Sequence, residues 1–170
     1  YRHWRNHSTW QLSDINECLS RTRPHLEFTA EERAEGDKAL KEFGIESTDR
    51  IVCFHARDPN FREGPTATLG FRDSTIQTQI NAMISTVDYG YKAVRVGRNM
   101  REHVETTTSN VIDYSHSTLS NDFLDIYLCF RCSFFVCTGS GLEAVALVFR
   151  KPLVCVNISQ WGLLDLHDTH

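Results

Sequence analysis

Phe134-Phe-Val-Cys137-Thr-Gly-Ser-Gly141-Leu-Glu143 is a short apolar run that passes through two glycines into a helical pattern from about Leu142 to Phe149. A run of this length, aromatic and β-branched, reads as a strand buried on both faces. The same step recurs along the chain. Ile51-Val-Cys-Phe-His55, Ala93-Val-Arg-Val96, Val111-Ile-Asp-Tyr114 and Leu153-Val-Cys-Val156 are further short apolar runs, the last preceded by Pro152. Helical periodicity separates most of them, and a Thr-rich polar loop after Gly97-Arg98 joins the second to the third. Asp73 or Ser74 is placed to cap a helix through about Val87, with Ile76, Ile80, Met83, Ile84 and Val87 as its apolar stripe, and Gly90 beyond it. A second helix spans about Asn121 to Arg131, with Phe123, Ile126, Tyr127 and Phe130 at helical spacing. Strands alternating with helices are the signature of a parallel sheet with crossover helices. The expected fold is α/β, a Rossmann-like three-layer α/β/α arrangement with strands centred on residues 51–55, 93–96, 111–114, 134–137 and 153–156.

Upstream, Thr29-Ala-Glu-Glu32 forms a capping box, so a helix is expected from there to about Phe43, with Gly44 as its left-handed stop. Residues 1–28 mix Trp, Arg, His and Ser without a period and read as a connector or the end of a preceding domain; residues 29–170 read as the α/β domain. The chain begins with Tyr1-Arg2-His3-Trp4 and ends soon after the fifth strand, where a doubly wound sheet still needs helical cover. Both ends lead us to expect a piece of a longer protein.

At 170 residues with a net charge of −4, the chain gives no reason to expect a nucleic-acid partner. Its 41% hydrophobic and 24% charged composition lies in the ordinary globular range, and no apolar run is long enough for a transmembrane segment. Cys53, Cys137 and Cys155 fall inside apolar runs, where a thiol packs as a small hydrophobe, so a cytoplasmic setting is expected, or membrane association through other parts of the protein. Cys129-Phe-Arg-Cys132 has metal-site spacing but no partner pair, so neither metal nor disulfide is expected there. Asn6-His7-Ser8 and Asn157-Ile158-Ser159 match a short glycosylation pattern that chance supplies easily.

Ligands of open parallel sheets bind beyond the carboxyl ends of the strands, so the residues after each apolar run carry the functional expectations. After the first strand, strand alternation points His55 and Arg57 the same way, placing an imidazole and a forked guanidinium where diphosphate oxygens would sit. Asp58 follows them. Arg57 could equally be a structural ion-pair partner of Asp58 or Asp73, and His55 a buried histidine. After the fourth strand, Thr138, Ser140 and Gly141 lead into a helix whose free N–H groups favour an anion. Glu143, one turn in, could accept from ribose hydroxyls or simply answer the helix dipole. Gly97-Arg98 after the second strand adds another cation, while His103, His116 and His167 read as solvated loop residues. Neither GxxxxGK[ST] nor GxGxxG is present.

Val52-Cys-Phe-His-Ala-Arg-Asp58, Arg72-Asp-Ser-Thr-Ile76, Val94-Arg-Val-Gly-Arg98, Ile112-Asp-Tyr-Ser115 and the run from Asp122 to Gly141 occur in an order that resembles a family of bacterial glycosyltransferases. More distantly, the His-x-Arg after the first strand and the Phe-Val-Cys-Thr strand with its Ser-containing turn are similar to the α-1,6- and protein O-fucosyltransferases. The resemblance covers about residues 50–158 and implies the second half of a GT-B enzyme, in which two Rossmann-like domains face each other. It implies no cofactor and no metal, only a nucleotide-diphosphate sugar as donor. Arg57 would contact the diphosphate, His55 would assist, Ser140 with Gly141 would hold a phosphate oxygen, and a saccharide or peptide acceptor would lie mainly on an N-terminal domain. The chain departs from the pattern in two places: Asp58 stands where the fucosyltransferases commonly have a second Arg, and Arg72-Asp73 where the bacterial family suggests Arg-Asn. Asp58 is also the one acceptor base the sequence offers. The same turn would serve a sugar-nucleotide epimerase or phosphorylase, or a binding domain without chemistry.

Overall fold

A computed structural model describes residues 21–58, 60 and 73–158. The helix α1 (Ala30–Lys41) starts at the expected capping box: Thr29 Oγ1 accepts from the Glu32 N–H at 3.2 Å, and Glu32 Oε2 accepts from the Thr29 N–H at 2.7 Å. Gly44, at φ +68°, takes the left-handed position after it. Then follow β1 (Ile51–Phe54), α2 (Ile80–Asp88), β2 (Lys92–Arg95), β3 (Val111–Asp113), α3 (Asp122–Arg131), β4 (Phe134–Cys137), α4 (Gly141–Val148) and β5 (Leu153–Cys155). All five strands are parallel, in the order β3-β2-β1-β4-β5, a Rossmann-like sheet.

Strand alternation divides the core in two. Ile51, Cys53, Val94, Phe135 and Cys137 face one way and pack under α1, α3 and α4 with Leu40, Leu124, Leu128 and Ala146. Val52, Phe54, Ala93 and Val136 face the other way, against Ile76 and Met83. Burial on both faces explains why β1 reads as a continuous apolar run. Over β5 the second face is open among the described residues, and Val154 is 45% exposed.

The details correct several expectations. Thr75, rather than Asp73 or Ser74, caps the segment before α2: its side chain accepts from the Gln77 N–H, a single 3-10 turn (Ile76–Gln79) follows, and α2 continues from it. Ile126 is 40% exposed, and the buried side of α3 is Leu124, Tyr127, Leu128 and Cys129. Phe28, on the connector side of the expected boundary, packs edge-on to Tyr127 and tilted on Phe130, with centroids 5.1 and 5.0 Å away. Cys129 and Cys132 are buried free thiols, and Cys132 Sγ donates to the Cys129 carbonyl. The connector up to residue 20, the segment with His167 and the Asn6 sequon lie outside the described residues, as does Arg72. No helix among the described residues is long and apolar enough to cross a membrane.

Candidate functional site

The chain runs outward from β1 through β2 to β3, then returns to the other side of β1 for β4 and β5. The reversal lies between β1 and β4, and a crevice outside the carboxyl ends of those two strands is where this topology binds ligands. The loops meeting there are His55–Asp58 and Thr138–Gly141. Parallel pairing continues past the strands: the His55 N–H donates to the Val136 carbonyl at 2.9 Å, and the Arg57 N–H donates to Thr138 Oγ1 at 3.0 Å. Thr138 is 2% exposed, so its hydroxyl serves to stitch the two loops together. Farther round, Asn157 Nδ2 donates to Ser74 Oγ at 3.1 Å and links the β5 end to the segment after β1.

Arg57 and the Ser140–Gly141 turn are therefore at one edge of the sheet. The Arg57 side chain is 11% exposed, and its Nε lies 3.3 Å from Asp73 Oδ1, the partner its structural reading anticipates. His55 is 6% exposed, with Nδ1 buried and without a hydrogen-bond partner. Burial, reinforced by the Arg95 and Arg57 charges, pulls its pKa down to about 4. The imidazole is therefore neutral at pH 7. Its ring lies close to Gly97, where φ is +121° and an added Cβ would stand 3.2 Å from His55 Cδ2.

Asp58 is placed differently from a general base. Its Oδ1 accepts from the Asn60 N–H at 2.9 Å, and its Oδ2 from the Arg101 and Glu102 N–H groups at 2.8 and 3.2 Å. Arg95 Nη2 is 3.9 Å from that Oδ2. The carboxylate is buried and committed to holding the β2 loop against β1. Arg98 on that loop reaches toward α3, with Nη1 2.9 Å from Asp122 Oδ1 and Nε 3.1 Å from Asp125 Oδ2. Burial raises the Asp125 pKa, while the Tyr114 hydroxyl and Arg98 pull the other way.

At the start of α4, Glu143 Oε2 accepts from the Gly139 and Ser140 N–H groups at 3.1 and 3.0 Å, the reciprocal arm of a capping box with Ser140 at the N-cap. This is the role the helix dipole alone accounts for. It takes up two of the donors expected for a phosphate and leaves the helix to offer the N–H groups of Gly141 and Leu142, its first two positions.

Comparison with known proteins adds nothing to this geometry. No protein-family model matches the chain, and neither the curated proteins nor the solved structures give a significant match.

Two features escaped the sequence reading. Arg95, at the end of β2, is 1% exposed on the face occupied by Phe54 and Ala93, meeting Asp58, Asp113 and the Glu102 carbonyl. The one available signal was a charge inside an apolar run that should be buried on both faces. His116, expected in solvent, is half-buried, its Nδ1 2.9 Å from Asp113 Oδ2 and its Nε2 3.0 Å from the Met100 carbonyl. His103 is exposed, as expected, but stacks on the His116 ring.

Proposed function

We propose that the crevice between β1 and β4 holds the diphosphate of a nucleotide sugar, and that the domain serves transfer of the sugar to a saccharide or peptide acceptor. The observation that carries this reading is the tie between the Arg57 N–H and the Thr138 hydroxyl, which sets the loop of Arg57 beside the loop leading into α4 at the topological switch point. Negative charge builds on the departing diphosphate. A guanidinium held at Nε by Asp73 and the N–H groups of Gly141 and Leu142 supply fixed positive ends to meet it. His55 contributes a neutral hydrogen-bonding nitrogen beside Arg57, where a second full charge would be costly. Asp58 acts as a positioning residue for the β2 loop, so in this proposal the acceptor and its base belong to the facing domain that the resemblance implies. Thr138 and Glu143 shape the two loops, and Arg98, braced by α3, borders the site from β2.

The test is a thermal-shift screen of the protein against UDP, GDP and dTDP sugars, with a CMP sugar as the control that lacks a diphosphate. Binding to the folded state alone raises the melting temperature, by an amount that grows with ligand excess over Kd. We expect stabilisation by one diphosphate sugar and little by the control, then, in a protein that carries the facing domain, release of nucleoside diphosphate only when an acceptor is added. Release without any acceptor would assign the site to another reaction on the same ligand.

A further inference from the structure

At the outer edge of the sheet, two strands from the crevice, His103, Asp113 and His116 bring their ligand-type atoms within 4.8 Å of one another. Asp113 ends β3, His116 lies in the 3-10 turn that follows it, and His103 comes from the long loop after β2. The imidazoles stack with centroids 3.6 Å apart and planes inclined by 23°. Their Nδ1 atoms lie 2.9 Å (His116) and 4.0 Å (His103) from the same oxygen, Asp113 Oδ2.

The surroundings orient Asp113 and His116. The Met100 carbonyl lies 3.0 Å from His116 Nε2 and requires the ring proton there. His116 Nδ1 faces Asp113 Oδ2 at 2.9 Å and lies 3.2 Å from Ser115 Oγ. The Asp113 carboxylate is itself aimed by Ser115 Oγ, which donates to Oδ1 at 2.6 Å, and by the Val104 N–H, which donates to Oδ2 at 3.0 Å. Backbone carbonyls behind histidines and hydrogen bonds behind carboxylates are how metal ligands are oriented. Arg95 Nη1 is 3.7 Å from Asp113, and Asp58 and Glu102 also act on that guanidinium.

We infer that His103, Asp113 and His116 form a binding site for a divalent first-row transition ion, zinc foremost, completed by water. Two imidazoles and a carboxylate suit such an ion. Metal–nitrogen and metal–oxygen bonds of about 2.0–2.1 Å in a tetrahedron separate neighbouring ligand atoms by about 3.3 Å. The two observed distances to Asp113 Oδ2 bracket that value, and the exposed His103 side chain is free of burial that would stop it closing the longer one. Bound there, the ion joins the β2 loop to the end of β3. That same loop carries Arg98 and the N–H groups held by Asp58. This site does not rest on the nucleotide-sugar reading.

The test is titration of the untagged, chelator-treated full chain with cobalt(II), followed by displacement with zinc. We expect one equivalent to produce visible ligand-field bands without thiolate charge transfer. The affinity should fall at least about tenfold in both His103→Gln and His116→Gln, and hold in His25→Gln, which alters an exposed histidine elsewhere. His103 is exposed, so its variant keeps the fold and remains decisive if His116→Gln is unstable. Absence of the bands, their survival in His103→Gln, or a thiolate signature would overturn the proposal.

Discussion

His55 is neutral in the fold because burial and two nearby guanidinium groups oppose its proton, and this gives the protein a specific acid sensitivity. The unfolded chain binds a proton at His55 below about pH 6.5, whereas the folded chain resists until about pH 4. Since the unfolded state holds more protons in this window, stability falls as the pH drops from 6.5 toward 4; above it the group imposes no penalty. By pH 5 the loss is on the order of 2 kcal/mol. Urea midpoints at pH 7 and pH 5 should therefore differ more in the wild type than in His55→Gln, and equal differences would contradict the burial of a neutral ring. At this scale the sequence was only partly legible. Placing His55 and Arg57 at one mouth followed from alternation along a strand. That Asp58 would be taken up by the Arg101 and Glu102 N–H groups did not, because those partners are more than forty positions away and carry no local signal.

Elements follow from local chemistry, and the capping box at Thr29 and the stop at Gly44 were readable because each satisfies its own helix end. Where two elements must fit each other, the sequence was silent. Gly36 lies in the middle of α1, where glycine is a poor helix former, and its reason is α3: an added Cβ would overlap the Tyr127 ring. That ring cannot easily retreat, since its hydroxyl donates to Asp37 Oδ1 at 2.7 Å and lies 3.1 Å from the Arg33 carbonyl, while Phe123 stacks on it and Phe28 packs at right angles to it. Alanine should gain about 1 kcal/mol in helix propensity and lose about 1–3 kcal/mol to overpacking. Gly36→Ala is thus expected to lower the urea midpoint, and a more stable variant would show that the α1–α3 contact yields readily. Glu143 illustrates the same limit from the other side, since its spacing from Ser140 fits both a cap and a ribose contact, and only the two N–H groups it accepts from favour the cap.

For the whole molecule, the order of strands was not in the sequence, although the strands were. Five apolar runs, most of them separated by helical periods, point to a parallel sheet, but nothing local says that the chain turns back to place β4 beside β1. That reversal brings residues 57 and 138 into contact across eighty-one positions. It also explains why a chain with a net charge of −4 can gather arginines at one edge: Arg57, Arg95 and Arg98 each meet carboxylates, so the edge is polar and braced rather than broadly basic. The central claim is that Arg57 in this crevice holds a diphosphate. It is tested most directly by calorimetric titration of wild type and Arg57→Lys with the nucleoside diphosphate selected by the thermal screen, each sample's melting temperature being recorded alongside. Lysine keeps the charge and the Asp73 attraction but loses the fork, so the account predicts an affinity at least about tenfold weaker with a nearly unchanged melting temperature. Unchanged affinity with a marked fall in melting temperature would contradict it and make Arg57 a scaffold partner of Asp73.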